Sequence, residues 1–155
     1  YFVPAFVGLG APHWAPHATA SITGMTRSTT KYDVVCAALE STAYQVADVI
    51  TAMESGRKRS DEPLRADGGQ SANSFAMQFQ SDILDRPVEV ANVVETTARG
   101  AALLAGRGIG LWRSEKEINS LWQASDRYEP LISESERTNL RSGWLAAVER
   151  SSSII

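Results

Sequence analysis

The sequence predicts a mixed α/β domain in which helices pack on a sheet, and three features support that prediction. Apolar residues recur at steps of three and four over residues 31–53, which is the period of an amphipathic helix. A short apolar run at residues 63–67 enters a Gly-Gly turn and leads into a second helical pattern. Apolar and polar residues then alternate over residues 88–90, as in a strand. Strands that alternate with helices are typical of this class.

Two short strands are predicted before the long helix. Residues 1–6 form an apolar run, and Pro4 places this strand at an edge or near a sheet end because proline cannot donate to a ladder. A loop rich in glycine and proline follows over residues 8–17 and carries Trp14. Residues 20–25 form the second predicted strand.

The long helix is the strongest element of the prediction. Thr30 and Asp33 are spaced as a capping box at its start, and Gly56 suits its end. Its apolar residues fall on one face, a pattern that usually marks the side of a helix facing a core. That face consists of Val35, Leu39, Thr42, Val46, Val49, Ile50 and Met53.

A strand, a turn, a helix and a further strand are predicted next. Residues 63–67 form the strand that enters the turn, and Ser71 is predicted as the N-cap of the following helix. After Pro87, residues 88–90 form a fourth strand. The helix between the two strands carries an apolar stripe of Ala72, Phe75, Ala76, Phe79 and Ile83.

The last third of the chain is predicted to be mainly helical. Residues 96–106 form a helix rich in alanine and glycine, whose small side chains allow close packing or the close approach of a ligand. Residues 114–122 are predicted as a short helix, and Ser133 with Glu136 is spaced as a capping box for the final one. The final helix carries an apolar stripe of Leu140, Trp144 and Val148.

The composition is that of a soluble globular domain, which we predict to span residues 1–150, with a frayed tail at 151–155. A net charge of −3 argues against general binding to nucleic acid or to an anionic membrane. The single cysteine, Cys36, suits a reducing compartment, so we expect a cytoplasmic protein. Because Tyr1 is not a methionine and lies inside an apolar run, we expect a fragment whose partner region is upstream.

The turn at Asp67-Gly68-Gly69 is the main candidate binding site, together with Asn73. Two adjacent glycines let a ligand approach the backbone because no Cβ stands in the way. The helix that follows offers free N–H groups and the positive end of its dipole, which favour an anion such as a nucleotide phosphate. Asn73 adds an amide that both donates and accepts. The alternative is an ordinary strand-to-helix turn with no ligand.

Other residues with reactive side chains do not form a catalytic pattern. His13 and His17 have metal-ligand spacing for a helix, but the prolines beside them argue against a helix there, so no metal site is predicted. Cys36 is predicted as a small core residue. The remaining candidates are assigned structural roles at helix ends, at an interface or at a domain junction: Glu40, Asp82, Asp85, Glu95 and Trp14. Two of them keep an alternative, because Glu95 could contact a ligand at the rim of a nucleotide site and Trp14 could face a substrate or a neighbouring lobe.

Several motifs together resemble the C-terminal lobe of the FGGY carbohydrate kinases, in particular those that phosphorylate glycerol. The second family signature is met without a gap between Ala20 and Glu40, and residues 2–14 resemble the loop typical of the glycerol-phosphorylating members. The resemblance extends over residues 1–150. Its further motifs are Ala43-Tyr44-Gln45, Asp67-Gly68-Gly69, Asn73, the run from Met77 to Leu84, Gly100-Ala101-Ala102 and Leu104-Ala105-Gly106.

The resemblance implies an actin-like, ribonuclease-H-like lobe that forms one wall of an ATP cleft. The family's nucleotide motif then falls on Gly69 and Asn73, with Gly68 supporting the turn. The expected reaction is transfer of the ATP γ-phosphate to glycerol, with Mg²⁺ as cofactor and a homo-oligomeric full-length protein. The catalytic aspartate, the glycerol-binding residues and the loop over the β- and γ-phosphates belong to the missing N-terminal part. The fragment alone is therefore expected to be inactive.

Three positions depart from the family pattern. His13 and Ala15 replace a Tyr and an Asp in the loop, and Arg99 replaces a Leu after Glu95. These departures make the local hydrogen bonding of the loop and the packing near Arg99 uncertain, but they do not touch the nucleotide motif. Two alternatives remain open, namely another FGGY kinase acting on a pentose, hexose or polyol, and a non-catalytic interaction module.

Overall fold

The computed structural model describes residues 1–93 and 95–153, and it confirms the mixed α/β class. Helices and short strands alternate along the chain, and a 3₁₀ turn at Gly69–Ala72 precedes the second helix. The elements are β1 (Phe2–Val3), β2 (Ser21–Ile22), α1 (Lys31–Glu54), β3 (Leu64–Ala66), α2 (Ser74–Leu84), β4 (Val88–Ala91), α3 (Thr96–Gly108), α4 (Glu115–Ser120), β5 (Ala124–Tyr128) and α5 (Glu134–Ser152).

The strands form two small sheets. β1 pairs antiparallel with β2, while β3, β4 and β5 form a mixed sheet in that order. β3 and β4 are parallel, with Leu64 opposite Val88, and α2 connects them as the crossover helix. β5 runs antiparallel to β4 and was not predicted from the sequence. Most of its side chains are exposed, so the strand shows no alternation between apolar and polar residues.

The larger core lies where α1, α2, α5 and β1 meet. The rings of Tyr44 and Trp144 stack with their centroids 5.0 Å apart, and Phe79 meets Tyr44 edge-on at 5.3 Å. Val3 of β1 and Ile83 of α2 complete the buried cluster. Aromatic pairs in these geometries add to the stability that burial alone provides.

A smaller core lies between α2 and the three-stranded sheet. Ala76 and Met77 of α2 are buried against Val88 and Val90 of β4, which lie on the same face of the strand. This packing fixes α2 over the sheet. The N-terminus of α2 and the end of β3 are therefore held in a defined relation to each other.

The predicted capping box at the start of α1 is confirmed. The Thr30 side chain accepts a hydrogen bond from the Asp33 N–H, and the Asp33 carboxylate accepts one from the Thr30 N–H at 2.7 Å. Hydrogen bonds from Thr30 hold the pKa of the exposed Asp33 carboxyl below its usual value. At the other end, Ser55 is the C-cap and Gly56 follows with a φ of 76°.

The apolar face of α1 points away from the core that the chain itself forms. The residues of α1 that are buried are Ser41, Ala43, Tyr44, Ala47 and Asp48, whereas the predicted apolar face is largely exposed. Val35 is 57% exposed and Met53 69% exposed. The period of the apolar residues identifies the helix correctly. It does not show which side of α1 the rest of the chain covers, and the opposite side is the buried one.

Two predicted details at helix ends are wrong. Asn73, not Ser71, is the N-cap of α2, because the 3₁₀ turn occupies the positions before it. The chain is also not frayed at Ser151, which is fully buried within α5 and accepts the Thr19 N–H through its carbonyl at 3.3 Å. Residues 154–155 of the predicted tail lie outside the described residues.

Candidate functional site

The Gly68–Gly69 bend lies at the carboxyl end of a parallel strand and just before a helix. β3 ends at Ala66, and α2 begins at Ser74 with its packed face on the sheet. In α/β sheets ligands bind in the region beyond the carboxyl ends of parallel strands. The predicted site residues therefore lie where the architecture favours a ligand.

The bend has a fixed backbone conformation. Gly68 has a φ of 86° and a ψ of 178°, a backbone conformation that residues other than glycine rarely adopt. The carbonyl of Gly68 accepts the N–H of Ser71 at 3.1 Å and its hydroxyl at 2.7 Å. The Asn73 N–H donates to the Gln70 carbonyl at 3.0 Å. The turn is thus held by its own hydrogen bonds without a side chain covering it.

The surface above the two glycines is open. A Cβ placed on Gly68 or Gly69 would meet no heavy atom of the described chain within 4 Å. The opposite holds at Gly8, where a Cβ would approach the Pro16 backbone to 2.6 Å and the glycine is needed for packing. At Gly69 the φ is also not in the left-handed region, so neither packing nor backbone conformation within this chain requires a glycine there.

Asn73 uses only the oxygen of its side-chain amide in bonds to the described residues. Its Oδ1 accepts the N–H of Ala76 at 3.2 Å and caps α2. Within residues 1–93 and 95–153, its Nδ2 has no protein partner. The N–H groups of Ser74 and Phe75, in the first turn, have no intrahelical acceptor because of helix geometry. This end of α2 therefore offers several hydrogen-bond donors and the positive end of a helix dipole.

Because β3 and β4 are parallel, the carboxyl end of β4 lies beside that of β3. The side chain of Arg99 forms hydrogen bonds next to this end of β4. Asn92 donates through its Nδ2 to the Gln123 side chain at 2.9 Å, and its Oδ1 accepts from Arg99 at 3.5 Å. Arg99 also donates to the Leu121 carbonyl. The departure at Arg99 thus ties α3 to the segment that precedes β5, and it does not reach the Gly68–Gly69 bend.

The buried carboxylate of Asp48 in α1 connects this helix to the loop at residues 8–17 and to α5. Its Oδ2 accepts from the Trp144 indole at 2.6 Å and lies 2.8 Å from the His13 Nε2, while Arg141 donates to its Oδ1 at 3.2 Å. Sequence reasoning missed Asp48, because its partners are distant along the chain. The departure at His13 is explained by this contact, which holds the loop against α1.

The rest of that loop is ordered through its backbone. Leu9 and Ala15 exchange two N–H to carbonyl bonds of 2.9 Å each, so Ala15 needs no side-chain partner there. Trp14 has a φ of 49° and is 75% exposed. None of the described residues supplies the predicted burial of Trp14 at a junction.

The other residues considered from the sequence have structural surroundings. Asp82 is buried and accepts the Leu131 N–H at 2.7 Å, and Asp85 pairs with Arg137 at 2.7 Å. Burial raises the pKa of the Glu40 carboxyl. Glu95 precedes α3 but forms no capping bond with its side chain. Among the described residues, no three His, Cys, Asp or Glu side chains cluster so as to hold a metal ion.

A groove elsewhere in the described residues lies apart from the Gly68–Gly69 bend, toward the other end of α2. It has a volume of about 1030 Å³ and lies between the C-terminal ends of α1 and α2 and the helix α5. Its arginines are engaged with carboxylates, as in the 2.5 Å pair between Arg86 and Glu54. No residue of the bend lines this groove. In residues 1–93 and 95–153, no helix is long and apolar enough to cross a membrane.

Comparisons with known proteins identify the family. A family model described as the C-terminal domain of the FGGY family of carbohydrate kinases matches residues 1–109. The chain belongs to this family. A glycerol kinase 2 of Thermotoga maritima is 53% identical over 151 residues, and a glycerol kinase of Dechloromonas aromatica is 50% identical. Both alignments cover 97% of this chain and 30% of the relative, so the chain spans about a third of their length.

Solved structures agree with this placement in the FGGY family. A Plasmodium falciparum glycerol kinase with ADP superposes with a TM-score of 0.87 at 38% identity, covering 99% of this chain and 30% of that protein. A gluconate kinase of Lactobacillus acidophilus superposes with a TM-score of 0.84 at 23% identity. This match covers 99% of this chain and 31% of the gluconate kinase. The actin-like fold expected for this family is confirmed by these neighbours.

Proposed function

We propose that this FGGY chain forms the nucleotide-side wall of a kinase that transfers the γ-phosphate of ATP to glycerol, giving glycerol 3-phosphate. The observation that carries the proposal is the open, hydrogen-bonded bend at Gly68 and Gly69, followed by a helix cap with an unused donor on Asn73. Its support from relatives is the similarity to glycerol kinases over nearly the whole chain.

Each residue of the proposed site has a distinct task. Gly68 makes the turn, and Gly69 lets the adenosine and α-phosphate region approach the backbone. The first turn of α2 supplies N–H donors and a positive dipole end for the phosphate charge. Asn73 offers its Nδ2 to an acceptor on the base, because its Oδ1 is already used by the cap.

The remaining chemistry is assigned to other parts of a family-length protein. Phosphoryl transfer depends on positioning and charge stabilisation from both sides of a cleft. We assign the catalytic aspartate, the glycerol site, the β- and γ-phosphate contacts and the Mg²⁺ site to regions outside this chain. We propose further that the full-length protein is a cytoplasmic homo-oligomer that uses ATP and binds neither nucleic acid nor membrane.

Variants of Asn73 separate its capping role from nucleotide recognition. The test uses a chimera in which this chain replaces the matching segment of the Thermotoga maritima relative. Asn73→Asp keeps the cap acceptor but removes the Nδ2 donor and adds negative charge, so thermal stability should be kept while the Kd for ADP rises at least tenfold. Asn73→Ala should lower both stability, by about 1 kcal/mol, and affinity. Calorimetric binding of ADP and thermal unfolding measure the two effects.

The Asn73→Asp variant decides the assignment. A variant that binds ADP as tightly as the parent chimera would remove Asn73 from the nucleotide site. The substrate that receives the phosphoryl group is tested separately, by assaying the full-length protein that contains this chain with a panel of polyols and sugars. Turnover of another polyol without turnover of glycerol would contradict the proposed reaction.

A further inference from the structure

We propose that Ser71 is a positioning residue of the nucleotide site, acting through its side-chain hydrogen bond to the Gly68 carbonyl. The hydroxyl fixes the peptide group between Gly68 and Gly69, so that the Gly69 N–H, and not the Gly68 carbonyl, is presented to the α-phosphate. This inference rests on the proposed function, because it concerns how the same site recognises the charge of its nucleotide.

The Gly68 carbonyl is held by two hydrogen bonds from one residue. The N–H of Ser71 donates to it at 3.1 Å and the hydroxyl of Ser71 donates to it at 2.7 Å. The Ser71 side chain does not cap α2, because Asn73 has that role. The hydroxyl of Ser71 therefore serves the bend and not the helix.

The direction of the Gly69 N–H follows from that of the Gly68 carbonyl. Among the described residues the only cis peptide bond precedes Pro12, so the bond between the two glycines is trans. In a trans peptide group the N–H and the C=O point in opposite directions. Because the carbonyl faces Ser71, the Gly69 N–H faces away from it. In the part of the chain that the structure describes, this N–H has no acceptor, and both glycines are exposed.

A glycine pair needs a bond of this kind, because its peptide group can turn over at little steric cost. A flip moves the second residue into backbone conformations that glycine adopts readily and other residues do not. At Gly68 and Gly69 no neighbouring atom lies within reach of a Cβ to restrict the backbone. In the flipped bend the Gly68 carbonyl would face the ligand and repel a phosphate. The Ser71 hydroxyl opposes the flip, since turning the carbonyl away breaks its hydrogen bond.

The size of the effect is bounded by one hydrogen bond. Ser71→Ala keeps the backbone N–H bond to Gly68 and loses only the hydroxyl bond. A net hydrogen bond changes an equilibrium by about fivefold. The apparent Kd rises as the fraction of molecules in the binding orientation falls. We therefore expect a rise of about two- to fivefold for a ligand that carries the α-phosphate, and none for the nucleoside alone.

Binding of adenosine, AMP and ADP to the full-length protein that contains this chain tests the role of Ser71. For Ser71→Ala the Kd values of AMP and ADP should both rise about two- to fivefold, while the Kd of adenosine stays unchanged. Ser71→Thr keeps a hydroxyl and should bind all three ligands as the parent does. Ser120→Ala is the matched control, because the Ser120 hydroxyl also donates to a carbonyl three residues earlier, that of Glu117 at 2.6 Å. It should change no Kd.

The ligand series separates positioning from a general loosening of the turn. Equal weakening of adenosine, AMP and ADP by Ser71→Ala would overturn the positioning role, and so would unchanged binding of AMP and ADP. Weak phosphate-dependent binding by Ser71→Thr would also overturn it. These results leave the nucleotide site standing wherever Asn73→Asp weakens ADP binding as expected. A parent protein that binds neither AMP nor ADP would overturn the proposed site itself, and with it this role of Ser71.

Discussion

The bend at Gly68 and the carboxylate of Asp48 use polar groups in opposite ways. The bend is open, and the Nδ2 of Asn73 beside it has no protein partner in the described chain. Asp48 is buried, and its two oxygens are shared among His13, Arg141 and Trp144. A buried charge requires such partners, because leaving it unpaired is costly.

This difference separates residues that stabilise the chain from residues available to a ligand. Both carboxylate oxygens of Asp48 are bonded to other residues of the chain, so we expect variants at Asp48 to change the free energy of unfolding. At Gly69 and at the Nδ2 of Asn73 the described chain uses no such capacity, so we expect changes confined to these two groups to alter ligand binding with little effect on folding. The following predictions test this division.

Removing the Asp48 carboxylate should have the largest effect on stability. Asp48→Ala leaves the buried Trp144 indole without its acceptor and removes the carboxylate partner of Arg141, which keeps its contact with the Thr51 hydroxyl. We expect a loss of about 3 kcal/mol, at the low end for a broken buried ion pair, because His13 and Arg141 are partly exposed. Urea unfolding of the chain measures it. Asp48→Asn keeps an acceptor oxygen without the charge and should lose less, and equal losses for the two variants would show that a neutral acceptor cannot replace the carboxylate.

Adding a methyl group at Gly69 should leave folding unchanged and weaken nucleotide binding. Gly69→Ala meets no atom of the described chain, so its unfolding midpoint should match that of the parent. The methyl group occupies the space proposed for the adenosine and α-phosphate region, and we expect the Kd for ADP in the chimera to rise at least tenfold, or about 1.4 kcal/mol.

Gly108→Ala provides the matched control for this effect, since its Cβ also meets no atom within 4 Å and it lies at the end of α3. It should change neither stability nor ADP binding substantially. Unaltered ADP binding by Gly69→Ala would show that ligand does not approach the backbone there.

The same division explains what the sequence could predict. The capping box at Thr30, the Gly-Gly turn and the β3-α2-β4 order depend on residues close together in the chain, and these features were recognised. β5 escaped prediction because its exposed side chains do not alternate. The Asp48 cluster escaped it because Asp48 is 35 residues from His13 and 96 from Trp144. Neither periodicity nor spacing encodes contacts of that range.

The N-cap of α2 shows the limit of local patterns in another way. Ser71 and Asn73 are both good capping residues, and the sequence does not indicate that a 3₁₀ turn occupies Gly69–Ala72. The structure makes Asn73 the cap, which fixes the side chain by its Oδ1. The residue proposed for base recognition is therefore preorganised by the helix itself, a detail that the resemblance to the family did not contain.

Removing the His13 imidazole should have a smaller effect than removing Asp48. His13→Ala deletes one of three partners of the carboxylate, while Trp144 and Arg141 remain bound to it. We expect a loss of about 1 kcal/mol, the usual net value of a hydrogen bond, and faster amide exchange at Leu9 and Ala15. The control His17→Ala changes an exposed histidine in the same loop and should alter neither measurement.

The pH dependence of Glu40 should give the smallest effect and the opposite sign from the capping carboxylate. Burial raises the pKa of Glu40, so the folded state binds its proton more readily than the unfolded state. Its contribution is most favourable below the ordinary glutamate pKa of about 4.3 and is lost as the pH rises through the folded value. Glu40→Gln should therefore be more stable than the parent at neutral pH, and the difference should shrink in acid.

Asp33→Asn is the counterpart, because hydrogen bonds from Thr30 lower the pKa of Asp33. Its carboxylate stabilises the chain above the ordinary aspartate pKa of about 3.9, and this contribution is lost as the pH falls through the folded value. Urea unfolding curves at pH 7 should give Glu40→Gln a higher free energy of unfolding than the parent and Asp33→Asn a lower one. At pH 3 both differences should be smaller. The same sign for both variants at pH 7 would mean that the Glu40 carboxylate has a favourable partner when ionised.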